Sequence, residues 1–267
     1  FAGHEAASFR DVGDRFNIKI SSLHKIIKNV SMFLSNMSKS VITWPNEEEK
    51  LEILTDFENI GFKDVLGIID GTHVRIDTPW EDPESLYNRK KFYSVHVQAL
   101  CDSKRKIRDV FIGFPGSVHD GRVFRNSTLC NTLEEKCGEK YILGDSAYPC
   151  LRNYKNRRPL TPMEVNFNKK LSHVRVRIEH TFGLLKQKFR QLYHLKLRGM
   201  VVICHFIRAC CILYNLSSAD EDEEMDWQQF EEIVTVQNVE ENIDEENQGS
   251  ASGLLYRNYL AALFFNG

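Results

Sequence analysis

Two periodicities take turns along the chain. Near the start, Ile20, Leu23, Ile27 and Val30 recur every three or four positions, the spacing of one helical face. This predicts a helix from Ile20 onward, capped by Ser21 or Ser22. A shorter amphipathic run over residues 6–16 and a turn at 17–19 precede it. Trp44-Pro45-Asn46 breaks the pattern, because the residue before a proline is pushed out of helical geometry. A short charged helix resumes over residues 47–59. The period then falls to two, and residues 65–76, 92–100 and 107–114 read as strands. A turn at 102–105 joins the second to the third. Helix returns over 120–135, and 141–149 is a short strand running into a turn. Further on, Ile178, Phe182, Leu185, Phe189 and Leu192 step by four and three, one buried stripe of a long helix. A second apolar helix spans 201–216. Strands first and helices afterwards, with one strand–helix–strand passage, predict an α/β fold: a mixed sheet covered by helices.

With 267 residues, 42% of them hydrophobic, the chain suits one large domain or one domain with a small companion. The pattern divides it into a helical segment (1–45), a main domain (61–216), a polar stretch without core periodicity (217–252) and an apolar end (253–267) with no assigned role. The polar stretch is expected to be disordered. The chain begins at Phe1 rather than Met, so its first element is expected to be incomplete.

Net charge adds something the pattern does not show. The formal total is −2, yet residues 209–256 hold 13 acids and no Lys or Arg. That leaves 35 basic against 24 acidic residues elsewhere, and between 151 and 208 the balance is 14 basic to two acidic. A basic body with an acidic tail points to a polyanionic partner. Seven cysteines without a CxxC pair exclude a zinc ribbon and suit a reducing compartment. No apolar run is expected to reach the roughly 18 residues of a membrane span. A phosphate-cradling glycine loop and a nucleophile elbow are both missing from the sequence.

The candidate chemistry lies in four acids. Asp70 ends the apolar half of the first strand, where a charge is costly unless paired or bound to a cation. Asp145 ends another apolar strand before a Tyr-Pro turn, and also reads as a turn residue. Glu179 borders the buried stripe of the long helix, and also reads as the ion-pair partner of Arg175 one turn away. Asp120 stands at a strand-to-helix junction, as a further ligand or as a helix cap. Hard oxygen donors from two strand ends and a helix would suit Mg²⁺ or Mn²⁺. Two such ions can activate water and stabilise the leaving oxygen of a phosphodiester.

Five short motifs occur in order: Ile69-Asp70-Gly71-Thr72-His73-Val74, Asn88-Arg89-Lys90-Lys91-Phe92-Tyr93-Ser94, Pro115-Gly116-Ser117-Val118-His119-Asp120, Leu143-Gly144-Asp145-Ser146-Ala147-Tyr148-Pro149, and Arg177 through Lys186 with Ile178-Glu179-His180 at its head. Together they resemble the DDE endonuclease domain of PIF/Harbinger transposases and their host-domesticated relatives, over residues 61–216. The resemblance implies an RNase H-like fold and a nuclease using divalent metal, Mg²⁺ or Mn²⁺. It implies Asp70 as the first catalytic acid and Glu179 as the last. Asp145, at the end of the fourth strand, is favoured as the middle one, and Asp120 ranks lowest among the metal ligands.

It also implies that residues 8–27 resemble a helix-turn-helix, although a plain helical hairpin fits them equally. Further implications are DNA as substrate, a separate Myb-like DNA-binding partner, and placement in the nucleus with the cytoplasm as a second compartment. Arg89, Lys90, Lys91, Lys186, Lys188 and Arg190 are candidate DNA contacts. His73, on the strand face opposite Asp70, is expected to pack or touch substrate; neither it nor His119 has zinc-ligand spacing. A domesticated, catalytically silent DNA-binding or scaffold protein is the alternative reading.

Overall fold

The computed structural model describes residues 9–80, 82–145, 147–148 and 162–218, with side chains of the last stretch described from 168 to 217. Ser217 and Ser218, expected to open the disordered stretch, instead end a helix; the rest of that stretch, the apolar end and the first residues of the opening amphipathic run lie outside the described residues.

Helix α1 (Phe9–Phe16) turns into α2 (Ile20–Asn36), which is followed by the single turn α3 (Ser38–Val41) and by α4 (Glu47–Asn59). Strand β1 (Val65–Arg75) opens the sheet, and the turn α5 (Pro83–Leu86) leads to β2 (Ser94–Cys101) and β3 (Ile107–Pro115). Then come α6 (Asp120–Arg125), α7 (Thr128–Cys137), β4 (Tyr141–Leu143), the long α8 (Pro162–Lys188) and α9 (Met200–Ser218). The four strands form one sheet in the order β3-β2-β1-β4. β1, β2 and β3 are antiparallel, and β4 runs parallel to β1. This is the expected mixed α/β, RNase H-like architecture.

Three expectations need correction. The N-cap of α2 is Lys19, not Ser21 or Ser22, and it makes no side-chain cap bond. The helix expected over 120–135 is two helices. Ser127 interrupts it by accepting a hydrogen bond from Cys130 N with its hydroxyl, so this competing local bond starts a new helix. An apolar helix long enough to cross a membrane by length and composition also exists among the described residues, namely α9. Its buried Ile203, Ile207, Cys210, Cys211 and Tyr214 join the main core.

The sheet separates two apolar clusters. On one side Val95, Val97, Ala99 and Cys101 of β2 meet Leu171, Val174, Ile178, Phe182 and Leu185 of α8 and the inner face of α9. The predicted stripe of α8 is therefore the wall of the main core. On the other side Leu66, Ile69 and Leu100 pack with Phe124, Leu129 and Tyr148. The N-terminal helices lie against this body. Ser35 of α2 is hydrogen-bonded by His205 and Arg208 of α9. α4 carries the capping box, Asn46 Oδ1 accepting from Glu49 N and Glu49 returning to Asn46 N. The same Glu49 pairs with Arg108 of β3, itself bonded to Asp102.

Candidate functional site

β1 places its side chains on alternate faces. Asp70 and Thr72 turn toward α8, and Gly71 and His73 turn toward the start of α6. The parallel pairing with β4 is in step up to Ile68 and Leu143. Asp70 lies two residues past that pair on β1 and Asp145 two residues past it, beyond the end of β4, and the Asp145 charge acts on Asp70. This is the local reason the two acids share one field.

Asp70 is only 9% exposed. One carboxylate oxygen accepts from Gly71 N at 2.8 Å, and the other accepts from the Arg175 guanidinium of α8 at 3.0 Å. Burial, together with the charges of Asp145 and Asp120, raises its pKa to about 7, against the opposing pull of Arg175. Asp145 also does what a turn residue does, since its side chain accepts from Ala147 N at 2.7 Å. Arg175 is itself held above its usual value; burial disfavours its charge, but Asp70, Asp145 and Glu179 outweigh that penalty. Glu179 thus belongs to the same field through Arg175, one helical turn along the same face of α8.

The fourth acid stands on the other face. Asp120 is the first residue of α6, whose cap residue is His119 with no side-chain cap bond. The helix-cap alternative therefore does not describe it. Its carboxylate meets His96 Nε2 at 2.5 Å. Burial pushes its pKa up, but the hydrogen bond to His96 and the charges of the surrounding histidines bring it below the ordinary carboxylate range. The pair presses on the backbone of Gly71, where an added Cβ would come within 2.7 Å of both Asp120 Oδ1 and His96 Nε2. His73 packs edge-on against His96 and stands 3.1 Å from Ser94 Oγ. Its burial and the nearby His96 lower its pKa to about 4, so the ring is neutral near pH 7.

Tyr148 lies among three of these acids. Its ring packs on Phe124, its hydroxyl is buried without a hydrogen-bond partner among the described residues, and burial plus Asp120, Asp70 and Asp145 raise its pKa well above normal. Tyr148 and His96 were not singled out by the sequence, and Arg175 was seen only as a partner for Glu179. For Arg175 the signal was present in its spacing to Glu179. For His96 it was not, because only the strand register sets it opposite His73.

The basic residues divide. Arg89, Lys90 and Lys91 are exposed on a tight turn that buried Asn88 holds through bonds to Phe92 N and Ser94 Oγ. Arg89 donates to the ring of His119, the residue before Asp120. Lys186 reaches from α8 to β1, donating to Thr72 Oγ1 at 2.8 Å and to the His73 carbonyl at 3.0 Å. Burial, with a smaller contribution from Lys90, lowers its pKa to about 8. Lys188 points elsewhere, to Ser217 of α9 at 2.7 Å. Two residues apart on a helix means about 200° of rotation, so Lys186 and Lys188 do not face the same way. Arg190 is exposed on the 3₁₀ turn after α8.

The donor set suits a hard divalent cation. Two carboxylates on adjacent strands repel each other, and a guanidinium supplies the positive charge that their field requires. Among the described residues, however, no three acid, histidine or cysteine side chains already converge with metal-site spacing.

Comparison with known proteins agrees with the motifs. Residues 69–215, more than half of the chain, match the DDE superfamily endonuclease family. The chain is 30% identical over 217 residues to the Homo sapiens protein named "Putative nuclease HARBI1", covering 77% of this chain and 61% of that protein. The Bos taurus protein of the same name is 31% identical with the same coverage. An Arabidopsis thaliana protein, "Protein ALP1-like", is 26% identical over 237 residues, covering 80% of this chain and 58% of that one. The chain thus spans about three fifths of the length of these relatives. No solved structure matches it. With five motifs in order on a sheet of the expected topology, the chain belongs to the DDE superfamily endonucleases, among the Harbinger transposase-derived nucleases.

Proposed function

We propose that this chain carries a divalent-metal-dependent DNA endonuclease activity, with Asp70, Asp145 and Glu179 as the acids that hold the ions. The observation that carries this reading is the shared field of Asp70 on β1, Asp145 just past the parallel strand β4, and Glu179 on α8 one turn from Arg175. Asp70, Asp145 and Glu179 would hold Mg²⁺ or Mn²⁺, which would supply Lewis-acid chemistry, favouring loss of a proton from an attacking water or DNA 3′ hydroxyl and stabilising the leaving oxygen of a phosphodiester. The protein contributes the rest. β1 fixes Asp70 in a buried, low-dielectric position where its charge has greatest effect. Gly144 leaves room for the Tyr148 ring, since a Cβ there would come within 2.9 Å of it, and that packing closes the turn carrying Asp145. Lys186 ties α8 to β1 next to Asp70, and Lys90 adds positive charge close by. The exposed basic turn gives the backbone of a DNA strand a place to lie beside the acids. Asp120, bonded to His96 and within the field of Asp70, is a further, lower-ranked ligand in this reading.

Support comes from the family match and from relatives named as nucleases. The alternative, a silent DNA-binding or scaffold protein, keeps the fold without the ions. Calorimetric titration with Mn²⁺ separates them. A nuclease binds the ion, and Asp145→Asn weakens that binding at least about tenfold; no heat of binding in the folded wild type favours the scaffold. We further propose a nuclear site of action with a separate Myb-like DNA-binding partner, which nuclear co-fractionation with such a protein would test.

A further inference from the structure

Arg175 is a cation of the protein that faces the acids of the site. Arg175 touches Asp70 through a single terminal nitrogen. Its Nε is buried and has no hydrogen-bond partner among the described residues. Arginines that serve as permanent partners of carboxylates commonly engage them with two parallel N–H bonds, and that fork is the source of their hold. Here the fork is half used, and a buried N–H is left unpaired at a cost. The contact nonetheless sits on the acid that most requires a counter-charge. Arg175 is also one turn before Glu179 on the same face of α8, so the two side chains approach the strand acids together.

From this geometry, and resting on the proposed metal-dependent activity, we infer that Arg175 is an exchangeable counter-charge: it holds Asp70 in the ion-free protein and gives it up when divalent ions bind. A divalent ion carries twice the charge of a guanidinium and can take oxygens from more than one carboxylate at once, whereas Arg175 takes one. The exchange accounts for two facts together. Among the described residues the acids share a field without converging as a metal cluster, and a buried carboxylate is accommodated before any ion arrives. Arg175 is accordingly a positioning residue, which sets the affinity and order of ion entry and is not itself a ligand.

The test follows Arg175 directly. In the wild-type chain, the Nε–Hε resonance of Arg175, assigned by its loss in Arg175→Lys, is recorded during a Mg²⁺ titration. In parallel, Mn²⁺ affinity is measured by calorimetry for the wild type, Arg175→Gln and Arg175→Lys. The resonance should shift and its protection from solvent exchange should fall as Mg²⁺ saturates. Arg175→Gln should bind Mn²⁺ on the order of tenfold more tightly, with Arg175→Lys nearer the wild type because it keeps the competing charge. If Arg175→Gln does not fold, the wild-type resonance and the lysine variant still decide. Ion binding with an unmoved Arg175 resonance, or equal affinities in all three proteins, would overturn the exchange while leaving the nuclease reading intact. No ion binding by any of the three would remove both.

Discussion

Asp70 shows how one position can be dictated by two opposing demands. The strand that carries it is apolar and buried, which disfavours its charge, yet the proposed chemistry requires that charge. With a pKa near 7 in the folded protein, against 3.8 for the unperturbed group, native Asp70 keeps a proton that the unfolded chain gives up. Folding stability attributable to this residue is therefore highest below about pH 4 and falls as pH rises toward 7. In the absence of divalent ions, the stability of the wild type relative to Asp70→Asn should decline across that window and level off above it. Urea denaturation midpoints in EDTA at several pH values would show this; a pH-independent difference would mean that Asp70 is not perturbed. Glu49 carries the opposite sign. Its bond to Arg108 lowers its pKa to about 2, so its contribution is present above about pH 4.5 and is lost as pH falls toward 2. Gly71 is a residue-scale test of the other face of β1. Gly71→Ala would force its Cβ to within 2.7 Å of Asp120 and His96, and should cost about 1–3 kcal/mol in denaturation experiments.

Among the elements, helix α4 and the stripe of α8 were legible because their signals are local, whereas the cap of α4 was not drawn from the sequence. Asn46 with Glu49 three residues later is a capping pattern, and Asn46→Ala should lower stability by about 1 kcal/mol, read from a thermal or urea transition. The stripe of α8 was legible because burial of one helical face imposes its spacing on the sequence. Other features depend on packing that no local pattern encodes. The contact of Arg175 with Asp70 joins residues 105 apart in the chain, and the contact of His96 with Asp120 depends on strand register and on the angle of α6. Asp120 looked like a helix cap because its position is right for one; the nearby imidazole claims its carboxylate instead. The split between α6 and α7 was missed because the apolar spacing continues across Ser127, whose hydroxyl nevertheless ends one helix and begins the next.

At the scale of the whole molecule, the acids lie in a body whose basic residues outnumber its acidic ones outside residues 209–256, and the basic turn at Arg89–Lys91 lies on the flank of the site. DNA affinity should therefore fall steeply with salt. Replacing Lys90 and Lys91 with alanine should reduce the slope of log affinity against log salt by roughly 0.9 per lysine, whereas Lys188→Ala, directed toward Ser217, should change it little. Fluorescence anisotropy across a salt series would measure both. The most direct measurement is nicking of supercoiled DNA by the chain, with Mg²⁺ and with EDTA, beside Asp70→Ala, Asp145→Ala and Glu179→Ala variants shown by circular dichroism to be folded. Mg²⁺-dependent nicking by the wild type and its loss in all three variants is the expected result; nicking that survives in a folded Asp70→Ala protein would contradict the assignment of these acids.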